Sequence, residues 1–199
     1  MGEMLSSTLF DVSRLGAVPE VEEKRDVPFQ KSKWVVPGKL LAGNFPGNRD
    51  SRVARRKLTA MLNVGIRAIV NLMQEWEINR LGVPFVPYAE LWHVLSVRRK
   101  LRTKAIRIPV WDLSAPMPAR MAYILDTIDE LIAKGMPVYI HCRGGVGRTG
   151  TVIACWKIRH GLADRDELVQ EILAAPDHSL LVPETGCQIS AVRRWQAGR

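Results

Sequence analysis

A cysteine followed by three glycines and an arginine is the segment of the chain best suited to chemistry. Cys142 precedes the run Arg143-Gly144-Gly145-Val146-Gly147-Arg148. The apolar residues 137 to 140 (PVYI) predict a buried strand before it, and residues 151 to 160 resume helical character. A glycine-rich turn between a strand and a helix aims backbone N–H groups at one point, where the helix dipole adds positive charge. The segment therefore predicts an oxyanion site with a nucleophile at its mouth.

Each residue type in this segment has a chemical use. The three glycines allow the backbone angles of an anion cradle, and Arg148 can hold two phosphate oxygens with its planar fork. The helix N-terminus and the guanidinium should keep Cys142 as a nucleophilic thiolate near neutrality. A lone cysteine at a strand end is more often a buried structural thiol. The glycines and Arg148 favour the catalytic interpretation.

The ending Gly147-Arg148-Thr149 imitates a nucleotide-binding Walker loop, but the match fails. Arg148 stands where that loop requires lysine, and Cys142 stands where it requires glycine, five positions before Gly147. The segment therefore does not predict a nucleotide-binding loop of that kind.

These residues carry a family resemblance. His141-Cys142, five intervening residues and Arg148-Thr149 resemble the H-C-x5-R-[S/T] signature of protein tyrosine and dual-specificity phosphatases. The segments 34 to 47 (WVVPGKLLAGNFPG) and 65 to 72 are similar to the opening segments of compact bacterial and dual-specificity members. The resemblance spans about residues 33 to 196.

The resemblance implies a phosphatase that works through a phosphocysteine on Cys142, without a metal or cofactor. It also implies that Thr149 hydrogen-bonds the Cys142 sulfur and that His141 orders the loop from behind. The expected phosphate-binding residues are Arg143, Gly144, Gly145, Val146, Gly147 and Arg148.

Phosphoryl transfer to a thiolate expels an alkoxide or phenoxide, so the leaving oxygen needs a proton donor. Asp112 lies 30 residues before Cys142, in IPVWDLSAP, which resembles the family's general-acid loop. An aspartate before serine and proline is often only a turn former. Asp126 and Asp129 are rivals by distance, but their helical context suits solvated positions. We expect Asp112 to be the general acid.

The second half-reaction needs a positioned water. The segment 183 to 188 (PETGCQ) resembles the P-E-T-x-x-Q segment of many bacterial relatives, which makes Gln188 the candidate. The alternative for Gln188 is a glutamine on a helix surface behind a cap. Cys187 beside it is a candidate redox partner of Cys142.

The elements that must position these residues alternate between strands and helices. The stretch from Gln74 to Leu101 shows no period and is interpreted as an irregular or partly helical connection. We therefore expect a single-domain α/β protein-tyrosine-phosphatase-like fold with a central mixed sheet flanked by helices. Strands are predicted within 34–41 (two pieces around Pro37-Gly38), 66–72, 105–110 and 137–140, and helices over 52–64, 119–133, 151–160, 164–174 and 184–195.

Length and composition agree with one globular domain. The chain has 199 residues, of which 47% are apolar and 25% charged. Residues 1 to 30 carry mixed charges without a period, so we expect a loosely ordered arm followed by the catalytic domain at 31–199. No window holds the eighteen or so apolar residues of a membrane span, and the N-terminus lacks a signal pattern. We expect a cytoplasmic protein.

The cysteines and histidines do not predict a disulfide framework or a metal site. Cys142, Cys155 and Cys187 form no C-x-x-C pair, and their odd number argues for reduced thiols. The chain has four histidines and no H-E-x-x-H motif. We therefore expect neither metal nor cofactor.

A formal charge of +9 favours an anionic partner, and much of the excess lies in residues 49–57 (RDSRVARRK) and 98–107 (RRKLRTKAIR). A basic nucleic-acid or membrane binding module is the alternative from outside the enzymes. No aromatic-interleaved RNA motif supports it, so no nucleic acid is expected.

Within the enzymes, the alternative is a phosphoinositide or inositol-phosphate phosphatase. Arg143 occupies a loop position where lipid phosphatases resembling this family carry lysine, whereas Val146 stands where they have a second lysine. We expect a phosphorylated protein or a small phosphomonoester as substrate. The preference among phosphotyrosine, phosphoserine or phosphothreonine and inositol phosphates stays open, as does the oligomeric state.

Overall fold

Five short strands form the central sheet of the computed structural model, which describes residues 27–198. The sheet order is β1-β2-β5-β3-β4, with β1 antiparallel to β2 and all other pairs parallel, so the sheet is mixed as predicted. The arm predicted for residues 1 to 30 lies almost wholly outside the described residues, and its boundary stays a prediction. The strands are β1 (Ser32–Val36), β2 (Leu40–Gly43), β3 (Ala68–Asn71), β4 (Lys104–Arg107) and β5 (Val138–His141).

Helices cover both faces of the sheet, because strands β2, β3 and β5 are buried along their whole length. Side chains alternate along a strand, so Tyr139 joins one core with Leu58 and Trp92, whereas Ile140 joins the other with Val152. None of the helices in the described part of the chain combines the length and apolar character needed to cross a membrane. The helices are α1 (Ser51–Asn63), α2 (Ala89–Arg98), α3 (Pro118–Ala133), α4 (Gly147–Arg159), α5 (Arg165–Ala174) and α6 (Gly186–Arg194).

The predicted strands and helices are confirmed, with shifted ends. The connection from Gln74 to Leu101, which was interpreted as irregular or partly helical, contains α2 between irregular segments. The largest shift that bears on the site is the start of α4, which begins at Gly147 and not at residue 151. The last glycine of the predicted anion cradle therefore already belongs to the helix.

A buried carboxylate joins α3 to α4. Asp129 accepts hydrogen bonds from Trp156 Nε1 at 2.8 Å, from Arg159 Nη1 at 3.1 Å and from His160 Nε2 at 3.0 Å. The prediction that Asp129 is solvated is wrong, because the facing helix α4 supplies these donors and covers it. Asp126, one turn earlier, is exposed and pairs with Arg159.

Truncating this carboxylate should destabilise the fold. Asp129→Ala removes the acceptor of the buried Trp156 Nε1 and the carboxylate contacts of Arg159 and His160, so the free energy of unfolding should fall by about 2–4 kcal/mol. Asp126→Ala is the matched control: it removes an exposed pair of the same arginine and should cost at most about 1 kcal/mol. Urea denaturation of both variants measures the difference. Equal and small losses would show that the Asp129 contacts do not hold α3 against α4.

Candidate active site

The glycine loop leads from the central strand directly into a helix. Strand β5 ends at His141, and α4 follows with Val146, which has no capping side chain, at its N-cap position, whereas Glu184 Oε2 accepts a hydrogen bond from Gly147 N at 3.1 Å. Cys142, the first loop residue, is buried. The other N–H groups of a first helical turn and the positive end of the helix dipole make such a terminus an anion site. The loop therefore offers an anion-binding point beside the Cys142 thiol.

The loop needs glycine at one position in particular. Gly145 has φ +73°, and a Cβ there would lie 2.6 Å from the backbone nitrogen of Asn44 and still closer to Gly43. The same stretch is fixed by hydrogen bonds from Phe45 N to Arg143 O at 3.1 Å and from Leu181 N to Gly145 O at 2.9 Å. The end of β2 thus packs directly on the loop, which leaves no room for a side chain.

His141 contacts the loop from the sheet side. Its Nδ1 lies 2.9 Å from the Cys142 carbonyl oxygen, and its Nε2 lies 2.6 Å from the Tyr88 hydroxyl. Burial lowers the pKa of His141 to about 3, so the ring is neutral. A carbonyl only accepts, so Nδ1 carries the proton and Nε2 accepts from Tyr88. A hydrogen-bond chain therefore runs from Tyr88 through His141 to the backbone of the cysteine.

Arg148 is a buried cation with partners from two other loops. Only 2% of the residue is exposed. Glu77 accepts from both terminal nitrogens, at 2.9 Å from Nη2 to Oε2, and the Val110 carbonyl accepts from Nη1 at 3.1 Å. Burial alone would lower the pKa of Arg148, but the Glu77 hydrogen bonds and the neighbouring negative charges outweigh it and raise that pKa. The guanidinium therefore stays charged.

Sequence reasoning missed Glu77. It lies in the connection that shows no period, shortly after β3. Its only signal was a carboxylate near the carboxyl end of a strand that neighbours β5. Glu77 also accepts a hydrogen bond from Gln74 N at 2.8 Å, which fixes its own segment.

Asp112 lies at the mouth of the loop and bridges its two arginines. Its Oδ1 is 3.0 Å from Arg148 Nη2, and its Oδ2 is 3.0 Å from Arg143 Nη2. The Asp112 side chain is 37% exposed, so it can be reached from solvent. Its rivals Asp126 and Asp129 are occupied on α3 by contacts to α4. Asp112 is thus the candidate carboxylate that the fold brings to the cysteine loop.

Gln188 is buried and not on the helix surface, but the cap of the alternative is present, because Gln188 forms a capping box with Thr185 at the start of α6. Its Oε1 accepts from Glu184 N at 2.8 Å and from Thr185 N at 3.2 Å, and its Nε2 donates to Ser114 O at 3.2 Å. A Cβ on Gly147 would lie 2.8 Å from its Oε1. Gln188 therefore links the loop of Asp112 to the start of α4.

The predicted hydrogen bond from Thr149 to the Cys142 sulfur is not formed. The Thr149 hydroxyl is buried and has no hydrogen-bond partner among residues 27–198. Because α4 begins at Gly147, Thr149 lies inside the first turn of the helix. An unpartnered buried hydroxyl carries a desolvation cost that a ligand or a charged sulfur would relieve.

The three thiols differ in accessibility. All three are free, with Cys142 and Cys155 buried and Cys187 exposed. Burial raises the pKa of Cys155 to about 12, which makes that thiol unreactive. Cys187 Sγ lies 3.4 Å from Leu113 O, beside the loop of Asp112. In the part of the chain that the structure describes, no group of three Cys, His, Asp or Glu residues is arranged to hold a metal.

Known proteins resemble this chain over most of the described residues. Residues 29–194 match the family model of the Swiss Army Knife DSP-PTPase phosphatase domain. An uncharacterized protein of Methanocaldococcus jannaschii is 34% identical over 98 residues, which are 47% of this chain and 65% of that relative. The match thus spans less than two thirds of that relative's length.

Two solved structures show the same fold. The active form of Tk-PTP has a TM-score of 0.60 and 25% identity, covering 84% of this chain and 97% of that one. PTPMT1 in complex with PI(5)P has a TM-score of 0.59 and 17% identity, covering 83% and 94%.

A methyl group at Gly145 should disrupt the loop, whereas one at Gly144 should not. Gly145→Ala combines a left-handed backbone with a clash against the end of β2, so the affinity for inorganic vanadate should fall at least about tenfold. A Cβ at Gly144 meets only the Val146 side chain at 3.7 Å. Gly144→Ala should therefore bind vanadate within about threefold of wild type. Calorimetric titration checks both, and equal affinities would show that the loop can shift away from β2.

Proposed function

The chain belongs to the DSP-PTPase phosphatase domain family, and from that premise we propose that it is a protein-tyrosine/dual-specificity phosphatase that hydrolyses phosphomonoesters through a phosphocysteine on Cys142. The observation that carries the proposal is the arrangement at the end of β5. Cys142, the charged Arg148 and the Asp112 carboxylate meet at the start of α4. Such a site holds a nucleophile, an anion clamp and a proton donor together.

In the first step, the Cys142 thiolate attacks phosphorus. The sulfur–phosphorus bond forms while the ester oxygen–phosphorus bond breaks, and Asp112 gives its proton to the leaving oxygen. The loop N–H groups and Arg148 hold the equatorial oxygens where charge is concentrated in the transition state. His141 keeps the Cys142 backbone in place through its carbonyl.

Substrate phosphate replaces the Asp112 carboxylate on Arg148. Arg148 donates to Glu77 from both Nη atoms and to Val110 O from Nη1, and its Nη2 also forms an ion pair with Asp112 Oδ1 at 3.0 Å. Glu77 and the Val110 carbonyl belong to the fixed frame, so the Nη2 contact to Asp112 is the one that phosphate oxygens take over. The negative phosphate then favours protonated Asp112, which is the form that can act as the acid.

In the second step, water attacks phosphorus, Asp112 accepts its proton, and the sulfur–phosphorus bond breaks to release inorganic phosphate. Gln188 positions this water. Its amide has two N–H groups, of which one donates to Ser114 O, so the second is available to the water. The Thr149 hydroxyl, buried without a partner, stabilises the returning thiolate.

The substrate that this site fits best is a phosphorylated protein side chain. Arg143 is paired with Asp112, and Val146 adds no charge, so the loop lacks the two free cations that a multiply phosphorylated inositol ring would use. The alternative is a phosphoinositide or inositol-phosphate phosphatase. It is supported by the Arg143 side chain, which is 39% exposed at the mouth, and by the same fold in PTPMT1, whose crystal contains PI(5)P.

Replacing the nucleophile should separate catalysis from binding. Cys142→Ser should lose at least about 10⁴-fold in turnover of a small aryl phosphate, because an un-ionised hydroxyl is a poor nucleophile. Its affinity for vanadate should stay within about tenfold of wild type, since the loop N–H groups and Arg148 remain.

Cys187→Ser is the matched control, because its hydroxyl can keep the contact to Leu113 O, and it should retain activity. Assays are run in excess chelator. Substantial turnover by Cys142→Ser, or loss of wild-type activity in chelator, contradicts a metal-free phosphocysteine route.

The proton of Asp112 should matter most for poor leaving groups, because a stable phenolate departs unaided. Asp112→Asn should lose about 10²–10⁴ in rate on phosphoserine or phosphotyrosine peptides and much less on an activated aryl phosphate. The wild-type pH profile should be bell-shaped, and the variant should lose the descending alkaline limb. Asp126→Asn on α3 is the control and should match wild type. Equal losses on good and poor leaving groups, with the bell intact, would assign the acid to another carboxyl.

A further inference from the structure

Two tryptophans meet in solvent at the rim of the phosphate loop. The rings of Trp76 and Trp111 have centroids 6.1 Å apart and planes inclined by 59°. The two residues are 66% and 65% exposed. Of the six tryptophans in the chain, the other four are buried or partly buried. Exposure of two large apolar rings in contact therefore marks a place where a ligand can lie.

Each of these tryptophans is the chain neighbour of a carboxylate that contacts Arg148. Trp76 precedes Glu77, and Trp111 precedes Asp112. Consecutive Cα atoms are about 3.8 Å apart, so both indoles start next to the phosphate clamp. Their contact joins the segment after β3 to the acid loop. The two rings thus form one side of the opening that a substrate must pass.

The surroundings of the pair are apolar as well. The same two segments expose Ile78, Leu81, Leu113 and Met117. Of the two basic runs, 49–57 lies at α1, whereas 98–107 ends at Arg107, which donates to Met73 O at 3.2 Å shortly before Trp76. The exposed apolar side chains of the two segments suit the organic part of a phosphoester.

We propose that Trp76 and Trp111 form an aromatic corner that holds the ring of phosphotyrosine and sets a preference for it over phosphoserine and phosphothreonine. The proposal rests on the proposed function at Cys142. Phosphotyrosine inserts a planar ring between the phosphate and the peptide backbone, whereas phosphoserine and phosphothreonine bring the backbone almost to the ester oxygen. Two rings inclined to one another offer a face for stacking and an edge for a T-shaped contact, the two arrangements that aromatic pairs prefer.

The test removes one ring and changes no residue of the acid loop. Trp76→Leu should lower kcat/KM on a phosphotyrosine peptide by about three- to tenfold, because one aromatic pair is lost. We expect KM to rise and kcat to change little. The same peptide carrying phosphothreonine should change less than about twofold. Trp76→Phe should keep most of the phosphotyrosine rate, because a smaller ring still stacks. Tyr123→Leu, which removes an exposed aromatic side chain of α3, is the control and should leave both peptides unchanged.

The outcomes distinguish this inference from the function on which it rests. If wild type hydrolyses neither peptide in a Cys142-dependent way, both the function and the aromatic corner are overturned. If Cys142-dependent hydrolysis is present, but Trp76→Leu affects both peptides equally or neither, only the corner is overturned. A loss confined to a phosphoinositide presented in phosphatidylcholine vesicles also overturns it, because the rings would then contact lipid. Equal melting temperatures for Trp76→Leu and wild type confirm that folding does not cause the change.

Discussion

Arg148 places a full positive charge in the interior, and a buried charge is stable only when it is paired and hydrogen-bonded. Its partners come from two segments that are distant from it in sequence. Glu77 follows β3, the Val110 carbonyl and Asp112 follow β4, and Arg148 itself lies in the first turn of α4, after β5. The need to satisfy this one guanidinium therefore ties the ends of three neighbouring strands together.

The sheet order makes that convergence possible. Strands β5, β3 and β4 are parallel neighbours, so their carboxyl ends open on the same edge of the sheet, where ligands bind in open α/β folds. On the other side of β5, strand β2 ends against Gly145 and fixes the loop from below. The central position of β5 thus gives the cysteine loop a rigid neighbour on each side. A site held this way by several strands keeps its geometry better than one on a single loop.

Local sequence signals predicted the parts of the site that depend on near neighbours in the chain. The apolar run, the glycines and the helical period around Cys142 are such signals, and they gave the strand, the loop and the helix. These signals did not predict that α4 starts at Gly147, because glycine has a low helix propensity, which tertiary contacts override here. Glu77 was not predicted, because its irregular segment has no hydrophobic period from which its position relative to Arg148 could be inferred. The burial of Asp129 was predicted wrongly for a similar reason, because a tertiary contact, the packing of the facing helix α4, determines whether a carboxylate on α3 is buried.

Asp112 must adopt two incompatible states in the proposed cycle. Its carboxylate is bound to Arg148 and Arg143, yet as an acid it must carry a proton and face the leaving oxygen. Arrival of phosphate at Arg148 resolves the conflict, because the phosphate takes the Nη2 contact and its charge favours protonation of the displaced carboxyl. The contact to Arg143 keeps that carboxyl at the mouth while this exchange happens. In the proposed cycle, phosphate binding and acid protonation are then coupled through one guanidinium nitrogen, Arg148 Nη2.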